Sequence, residues 1–303
     1  MSDLTSLAQK LQKDDSNLIL VTLVSVEGST YRKPGAQMLL TAHGYYGLMS
    51  GGCLEAEITR QCRPIFEGEK RALKLEIDTR QYLGCDGRLA LWCERISHSF
   101  FATIQEVIRK RRGLYCNIFP DDNKREATLS EHADTSAFSH RVLPPRRLLV
   151  FGSAPDAQPL LKLGRALEWQ SEQVVLSSDP LSRHSQNFLV LAESRLVSKL
   201  NIDSTTACVV MNHHFGRDLE LVQALWKSSS PFLGLLGSRK RKDQLLEKLV
   251  FNPQIDLESR HLFAPVGLEL GAEGPQQIAL EICAQIQQVL SVAKPSILIR
   301  EGT

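Results

Sequence analysis

Residues 146–180, RRLLVFGSAPDAQPLLKLGRALEWQSEQVVLSSDP, constrain the fold more than any other part of the chain. A short apolar strand, a glycine-containing turn, a helix and a second apolar strand ending in an acidic residue make a βαβ unit. Such a unit pairs its strands in parallel and opens a doubly wound sheet with helices on both faces. The later segments continue the pattern. DSTTACVVMNHHF (203–215) reads as a strand, DLELVQALWKS (218–228) as a helix, and PFLGLLGSRKRKDQLLEKLV (231–250) as strand, loop and helix. GPQQIALEICAQIQQVLSVA (274–293) closes this half with a long helix that carries Pro275 in its first turn, where a proline fits.

The residues before Pro144-Pro145 have a different character. LILVTLVSVEGS (18–29) is a buried strand, and AQMLLTAHGYYGLMS (36–50) gives two strands joined at His43-Gly44. LEAEITRQCRPIFEG (54–68) has helical spacing, with Leu54, Ile58 and Cys62 on one face and a stop near Pro64. ALKLEID and GRLALWCERI are further strands, a helix is expected over about 98–112, and a strand pair surrounds GLYCNIFP. The polar segment 121–140 then leads to the two prolines. At 303 residues the chain exceeds one ordinary core. The expected organisation is a smaller α+β domain over 1–143 with its connector, and a Rossmann-like α/β domain over 146–303.

Composition removes several classes of function. A net charge of +2 gives no reason to expect nucleic acid or an anionic membrane as partner. No apolar run approaches the roughly 18–20 residues that span a bilayer. Seven cysteines at scattered spacings do not form a disulfide framework, and no CxxC or HExxH pattern is present. A cytoplasmic location with reduced thiols is expected.

Five stretches carry candidate chemistry. In LMSGGCLEAEI, Cys53 is expected on the first turn of a helix behind Gly51 and Gly52. Free N–H groups and the helix dipole there favour an anion or a thiolate; a cysteine filling a small apolar gap is the alternative. The turn GSAPDA (152–157) stands where G-x-G-x-x-G/A belongs, with Gly152 and Ala157 in place and Ala154 replacing the middle glycine. It holds a nucleotide or pterin phosphate, or it is a scaffold turn that binds nothing. Asp179 fits the ribose-binding acidic residue. In GLLGSRKRKDQLL, Gly237, Ser238 and Arg239 open a run of four basic residues at a helix start, where positive charge opposes the dipole and an anion would relieve it. APVGLELGAEGPQQIA (264–279) is a glycine-punctuated loop that reads first as a turn and cap. Arg32 in TYRKPGAQ and Cys85 in YLGCDGR are loop residues that could serve the Cys53 region. His213 and His214 fall at the carboxyl edge of the sheet, where a histidine suits acid–base work.

Taken together, GSTYRKPGAQMLLT followed by GGCLEAEI resembles the amino-terminal signature of the XdhC/CoxI family. The strand and turn at 148–157, VVMNHHFGRDLELVQAL, PFLGLLGSRKRKDQLLEKL and HLFAPVGLELGAEGPQQIALEICAQI are similar to its Rossmann-like carboxy-terminal half. The resemblance implies an accessory maturation factor rather than a metabolic enzyme. Such a factor binds molybdenum cofactor, protects it during sulfuration, and delivers it to the apo-enzyme of a molybdenum hydroxylase such as xanthine dehydrogenase. A cysteine desulfurase or sulfurtransferase is the second implied partner, with a homodimer as the assembly to test. Carried over, Cys53 becomes the leading candidate for contact with the cofactor or its molybdenum. Gly237, Ser238 and Arg239 match the family's GLLGSR loop, and Pro265, Gly267 and Gly271 its APVGL-x-x-G segment. Two departures stand out: YLGCDG where the family has GLGCGG, and GSAPDA where it has G-A-G-x-x-A. The rival reading is an NAD(P)-dependent oxidoreductase, which Ala154 and Pro155 weaken.

Overall fold

A computed structural model describes residues 4–11, 17–81, 87–120, 122–183, 188–191, 196–250 and 262–292. The chain divides into two units between Pro144 and Pro145.

The first unit is built on a five-stranded antiparallel sheet. Its strands are β1 (Ile19–Gly28), β2 (Gln37–Thr41), β3 (Gly44–Tyr46), β4 (Ala72–Asp78) and β5 (Gly87–Arg95), in the order β3-β2-β1-β5-β4. Strand β1 is central and its side chains alternate between two cores. Ile19, Val21 and Leu23 join Ile58, Cys62 and Ile65 on one face. Leu18 and Leu20 join Leu4, Leu7 and Ile104 on the other. The first face is covered by α2 (Glu55–Gln61) and α3 (Arg63–Phe66); α1 (Leu4–Lys10) and α4 (His98–Lys110) supply apolar side chains to the second. The single helix expected over 54–68 is therefore two short ones, because Pro64 suits the first turn of a new helix and not the interior of an old one.

Residues 114–142 depart from expectation. They form a three-stranded sheet of β6 (Leu114–Ile118), β7 (Thr128–Ser130) and β8 (Phe138–Val142), in the order β7-β6-β8. The two later strands lie in a stretch read as polar connector, since three to five residues with few apolar positions leave little periodic signal. Asn117 holds the sheet by accepting from the Asp134 N–H and the Ser139 hydroxyl. His140 on β8 faces Cys116 on β6. It is 6% exposed, and neither ring nitrogen has a partner among the described residues. Burial pushes its pKa down from 6.5 to about 4.

The second unit is a mixed α/β Rossmann domain. Its strands are β9 (Arg147–Phe151), β10 (Gln170–Leu176), β11 (Leu189–Leu191), β12 (Thr206–Val210), β13 (Phe232–Leu235) and β14 (Leu262–Phe263). All are parallel, in the order β11-β10-β9-β12-β13-β14. Its helices are α5 (Ala157–Ala166), α6 (Leu196–Leu200), α7 (Phe215–Leu225), α8 (Arg239–Val250) and α9 (Pro275–Val292). Central strands read RLLVF and TACVV, buried throughout, because both faces of the sheet are covered. Leu148, Val150, Ala207 and Val209 pack toward α5 and α9, and Leu149, Phe151, Cys208 and Val210 toward α7 and α8. Among the described residues no helix is long and apolar enough to cross a membrane.

Candidate functional site

Tyr46 ends β3 and Glu55 begins α2, so the loop that carries Cys53 is eight residues of non-repetitive backbone. Cys53 does not sit on the helix: it precedes the cap residue Leu54. The reason is Glu55. Its side chain is fully buried, and Oε1 accepts the N–H groups of Met49 (2.9 Å) and Ser50 (2.8 Å). Oε2 accepts the Ser50 hydroxyl at 2.8 Å and the Leu54 N–H at 3.2 Å. The Ser50 Oγ in turn accepts the N–H groups of Gly52 and Leu54, each at 3.1 Å. Burial alone would raise the Glu55 pKa, but the bonds from Ser50 and the neighbouring backbone N–H groups outweigh it and hold the carboxyl below its ordinary value. The loop's own donors just before the helix are thus taken by an internal carboxylate. A glutamate directly after Gly-Gly-Cys-Leu was the available sign.

This arrangement turns the rest of the loop outward. Gly51, Gly52 and Cys53 are exposed, and a Cβ at either glycine would meet nothing within 4 Å. Gly52 adopts φ +112°, a conformation that L side chains rarely take. Cys53 is the one exposed thiol among the described residues; Cys62, Cys93, Cys116, Cys208 and Cys283 are buried. Burial pushes the Cys208 and Cys283 thiols up to about 12, which keeps them unreactive at neutral pH. Arg32 is half-buried in the β1–β2 turn, where the Thr30 hydroxyl donates to its carbonyl at 2.7 Å. Cys85 lies outside the described residues.

In the second unit the expected residues gather at the carboxyl edge of the sheet, where the strand order reverses between β9 and β12. Gly152 leaves β9 at φ +140°, and a Cβ there would stand 2.4 Å from the Met211 carbonyl oxygen. Only glycine lets these two turns approach. The next residue, Ser153, donates its hydroxyl to Asp179 Oδ2 at 3.0 Å. Asp179 is 4% exposed, also receives the Leu181 N–H, and pairs with Arg217 at 3.4 Å. A ribose hydroxyl would have to displace these partners to reach it.

After β12, His214 caps α7 by accepting the Arg217 N–H, and His213 stands at φ +55° with Nε2 2.7 Å from Asp156 Oδ2. Asp156 itself is the residue before α5. Of the basic run that opens α8, Arg241 reaches back to the fully buried Asp218, and Arg239 pairs with Glu269 at 2.7 Å. Ser238 caps the helix by accepting the Arg241 N–H, and Gly237 packs against the Arg241 stem. The loop holding Gly267 is laid on α9. Gln285 accepts the Gly267 N–H, and Glu281 Oε1 accepts those of Leu270 and Ala272. Sequence reading did not single out Glu55, Asp156, Arg217, Asp218 or Glu281; the partners of Asp156, Arg217 and Asp218 lie 23 to 57 residues away, whereas those of Glu55 lie within six. Among the described residues no group of three or more His, Cys, Asp or Glu side chains could hold a metal ion.

Two family models match this chain: the XdhC Rossmann domain over residues 148–286, and the XdhC and CoxI family over residues 11–78. A protein of Bacillus subtilis (strain 168) named as a probable xanthine dehydrogenase subunit is 28% identical, with 95% of this chain and 98% of the relative aligned. The molybdenum cofactor insertion chaperone PaoD of Escherichia coli (strain K12) is 25% identical, over 89% of this chain and 83% of that one. The crystal structure of a xanthine dehydrogenase from Bacillus halodurans superposes with a TM-score of 0.76 at 25% identity, covering 97% of each chain.

Proposed function

Because this chain belongs to the XdhC and CoxI family, we propose that it is a molybdenum cofactor-binding chaperone that shelters the cofactor during sulfuration and inserts it into a molybdenum hydroxylase. The observation that carries this reading is the Cys53 loop. It offers a single outward thiol, with two small neighbours that leave open space for a large planar ligand or a partner surface. A thiolate is a soft ligand and suits a soft metal centre such as molybdenum held by sulfur. Glu55 fixes the loop before any ligand arrives, so little ordering entropy is lost on binding. One relative is named as a chaperone of this kind, and it aligns with this chain across both halves.

On this reading the partners are the apo-hydroxylase and a sulfurtransferase, and the cofactor is cargo rather than a resident group. The protein, purified from cells that make molybdopterin, should carry it, and Cys53→Ala should carry much less. The client enzyme should then accumulate as polypeptide yet stay inactive in cells that hold only the variant. A wild-type protein free of pterin, or a Cys53→Ala protein equally loaded, would sink the assignment.

A further inference from the structure

Among the described strands that end a sheet, β4 is the longest, and it pairs with β5 alone. The Arg95 N–H donates to the Arg71 carbonyl, which fixes the bonding pattern along the pair. Leu73, Leu75 and Ile77 therefore turn their backbone groups toward β5, and Ala72, Lys74, Glu76 and Asp78 turn theirs outward. None of these outward backbone groups has a partner among the described residues. Such an edge is a template for another strand. Its side chains alternate as well. Lys74 and Glu76 are exposed on one face, while Leu73, Leu75 and Ile77 point to the other and join the core that holds Ile58 and Ile65.

A lysine on an edge strand ordinarily repels further pairing, and Lys74 alone would do so. Here the strand carries its own counter-charge. ALKLEID is self-complementary when a second copy runs antiparallel about Leu75. Lys74 then faces Glu76, Glu76 faces Lys74, Leu73 faces Ile77, and Leu75 faces its counterpart. Ala72 faces Asp78, so every outward residue meets an outward residue, and each of these pairs can exchange two backbone hydrogen bonds. Opposite charges directly across two strands stabilise them, and the two-fold axis supplies the Lys74–Glu76 pair twice. The space beside the edge fits the same arrangement. Lys70, Arg71 and Lys74 line an open groove of about 630 Å³ with Trp92, Pro120 and Asn123. Lys70 is exposed and has no ion-pair partner among the described residues. Glu76 and Asp78 of a second copy would arrive along that cationic groove. We propose that two copies of this chain join through β4, antiparallel about Leu75, into one continuous sheet. The inference does not rest on the cofactor reading, and β3, from which the Cys53 loop leaves, forms the opposite edge of the sheet.

Charge reversal tests this directly, because Lys74 and Glu76 are exposed and their exchange disturbs no core. In analytical ultracentrifugation the full chain should sediment as a dimer at micromolar concentration. Lys74→Glu and Glu76→Lys each set like charges opposite one another at both pairs. Each should raise the dimer dissociation constant by at least about tenfold. The double variant Lys74→Glu/Glu76→Lys restores opposite charges and should recover most of the lost affinity. An equimolar mixture of the two single variants should form the mixed dimer, since their charges complement each other across the axis. Cys53→Ala should leave the dimer unchanged, so failure here reads separately from failure of the cofactor assignment. The proposal is overturned by a wild-type chain that stays monomeric at high micromolar concentration, or by a dimer indifferent to either single reversal. A double variant as weak as the single ones, or a mixture that yields no mixed dimer, would overturn it as well.

Discussion

The loop before α2 and the turn before α5 solve one problem in opposite ways. Both follow a strand, both contain glycine, and both lead into a helix whose start would attract an anion. In each case the chain supplies its own carboxylate. Glu55 is fully buried and both its oxygens are bonded within its own loop, whose thiol faces solvent. Asp156 is 28% exposed at its side chain, with one oxygen on His213 and the other without a partner among the described residues. The first carboxylate organises a surface; the second holds a histidine from the turn after β12. A glycine-rich turn before a helix is therefore not by itself a phosphate site, and the placement of the nearest acid decides.

Substitution should separate the two acids most sharply. Glu55→Ala should cost about 4 kcal/mol, since it strands the N–H groups of Met49 and Leu54, both buried, and unties Ser50. Urea unfolding of the full chain and hydrogen exchange at Met49 and Ser50 would measure it. Glu55→Gln should cost less, because one acceptor oxygen survives. Asp156→Ala should cost under about 1 kcal/mol in the same experiment, because the side chain is part-exposed and half-bonded. Equal losses for the two alanine variants would end the distinction.

The glycines give the next contrast. Gly152→Ala should destabilise the second unit by about 3 kcal/mol or more, through collision with the Met211 carbonyl and a forced positive φ. Gly51→Ala should shift stability by less than about 0.5 kcal/mol, because its Cβ enters open space. Thermal unfolding of both variants checks the pair.

Acid separates Glu55 from His140 in the first unit. The His140 pKa falls from 6.5 to about 4 on folding, so the unfolded chain binds the extra proton between those values. Stability is whole above pH 6.5 and lost as pH falls toward 4, by about 3 kcal/mol. The folded pKa of Glu55 lies below its ordinary 4.5, so its contribution is present above 4.5 and is lost as pH falls through the folded value. His140→Phe should flatten the upper part of the acid slope, and Glu55→Gln the lower part. The smallest effect is expected for Cys53→Ala. Truncating an exposed side chain should change stability by only a few tenths of a kcal/mol while cofactor loading falls.

Much of the second unit was legible from residue order. Short apolar runs such as RLLVF and TACVV, bounded by turn residues, read as strands covered on both faces, and the helices between them favour parallel pairing. The strands over 128–142 were not legible, since TLS and FSHRV are too short and too polar to show a period. At the candidate sites the exposed position of Cys53 was half-visible. Its place outside the helix was not, because that depends on where the Glu55 carboxylate turns. The basic run at 239–242 looked like an anion clamp, yet Arg241 answers Asp218, which the sequence places 23 residues away.

The sequence by itself determined the family resemblance and, outside 54–68 and 128–142, most of the order of strands and helices, because hydrophobic period and glycine placement act locally. Only the tertiary structure decided which acids meet which donors. Those pairings join the Gly152 turn to Asp179 and Met211, the Asp156 carboxylate to His213, and Glu281 to the loop before α9. They are long-range contacts whose energy depends on burial, and burial exists only once the chain has folded.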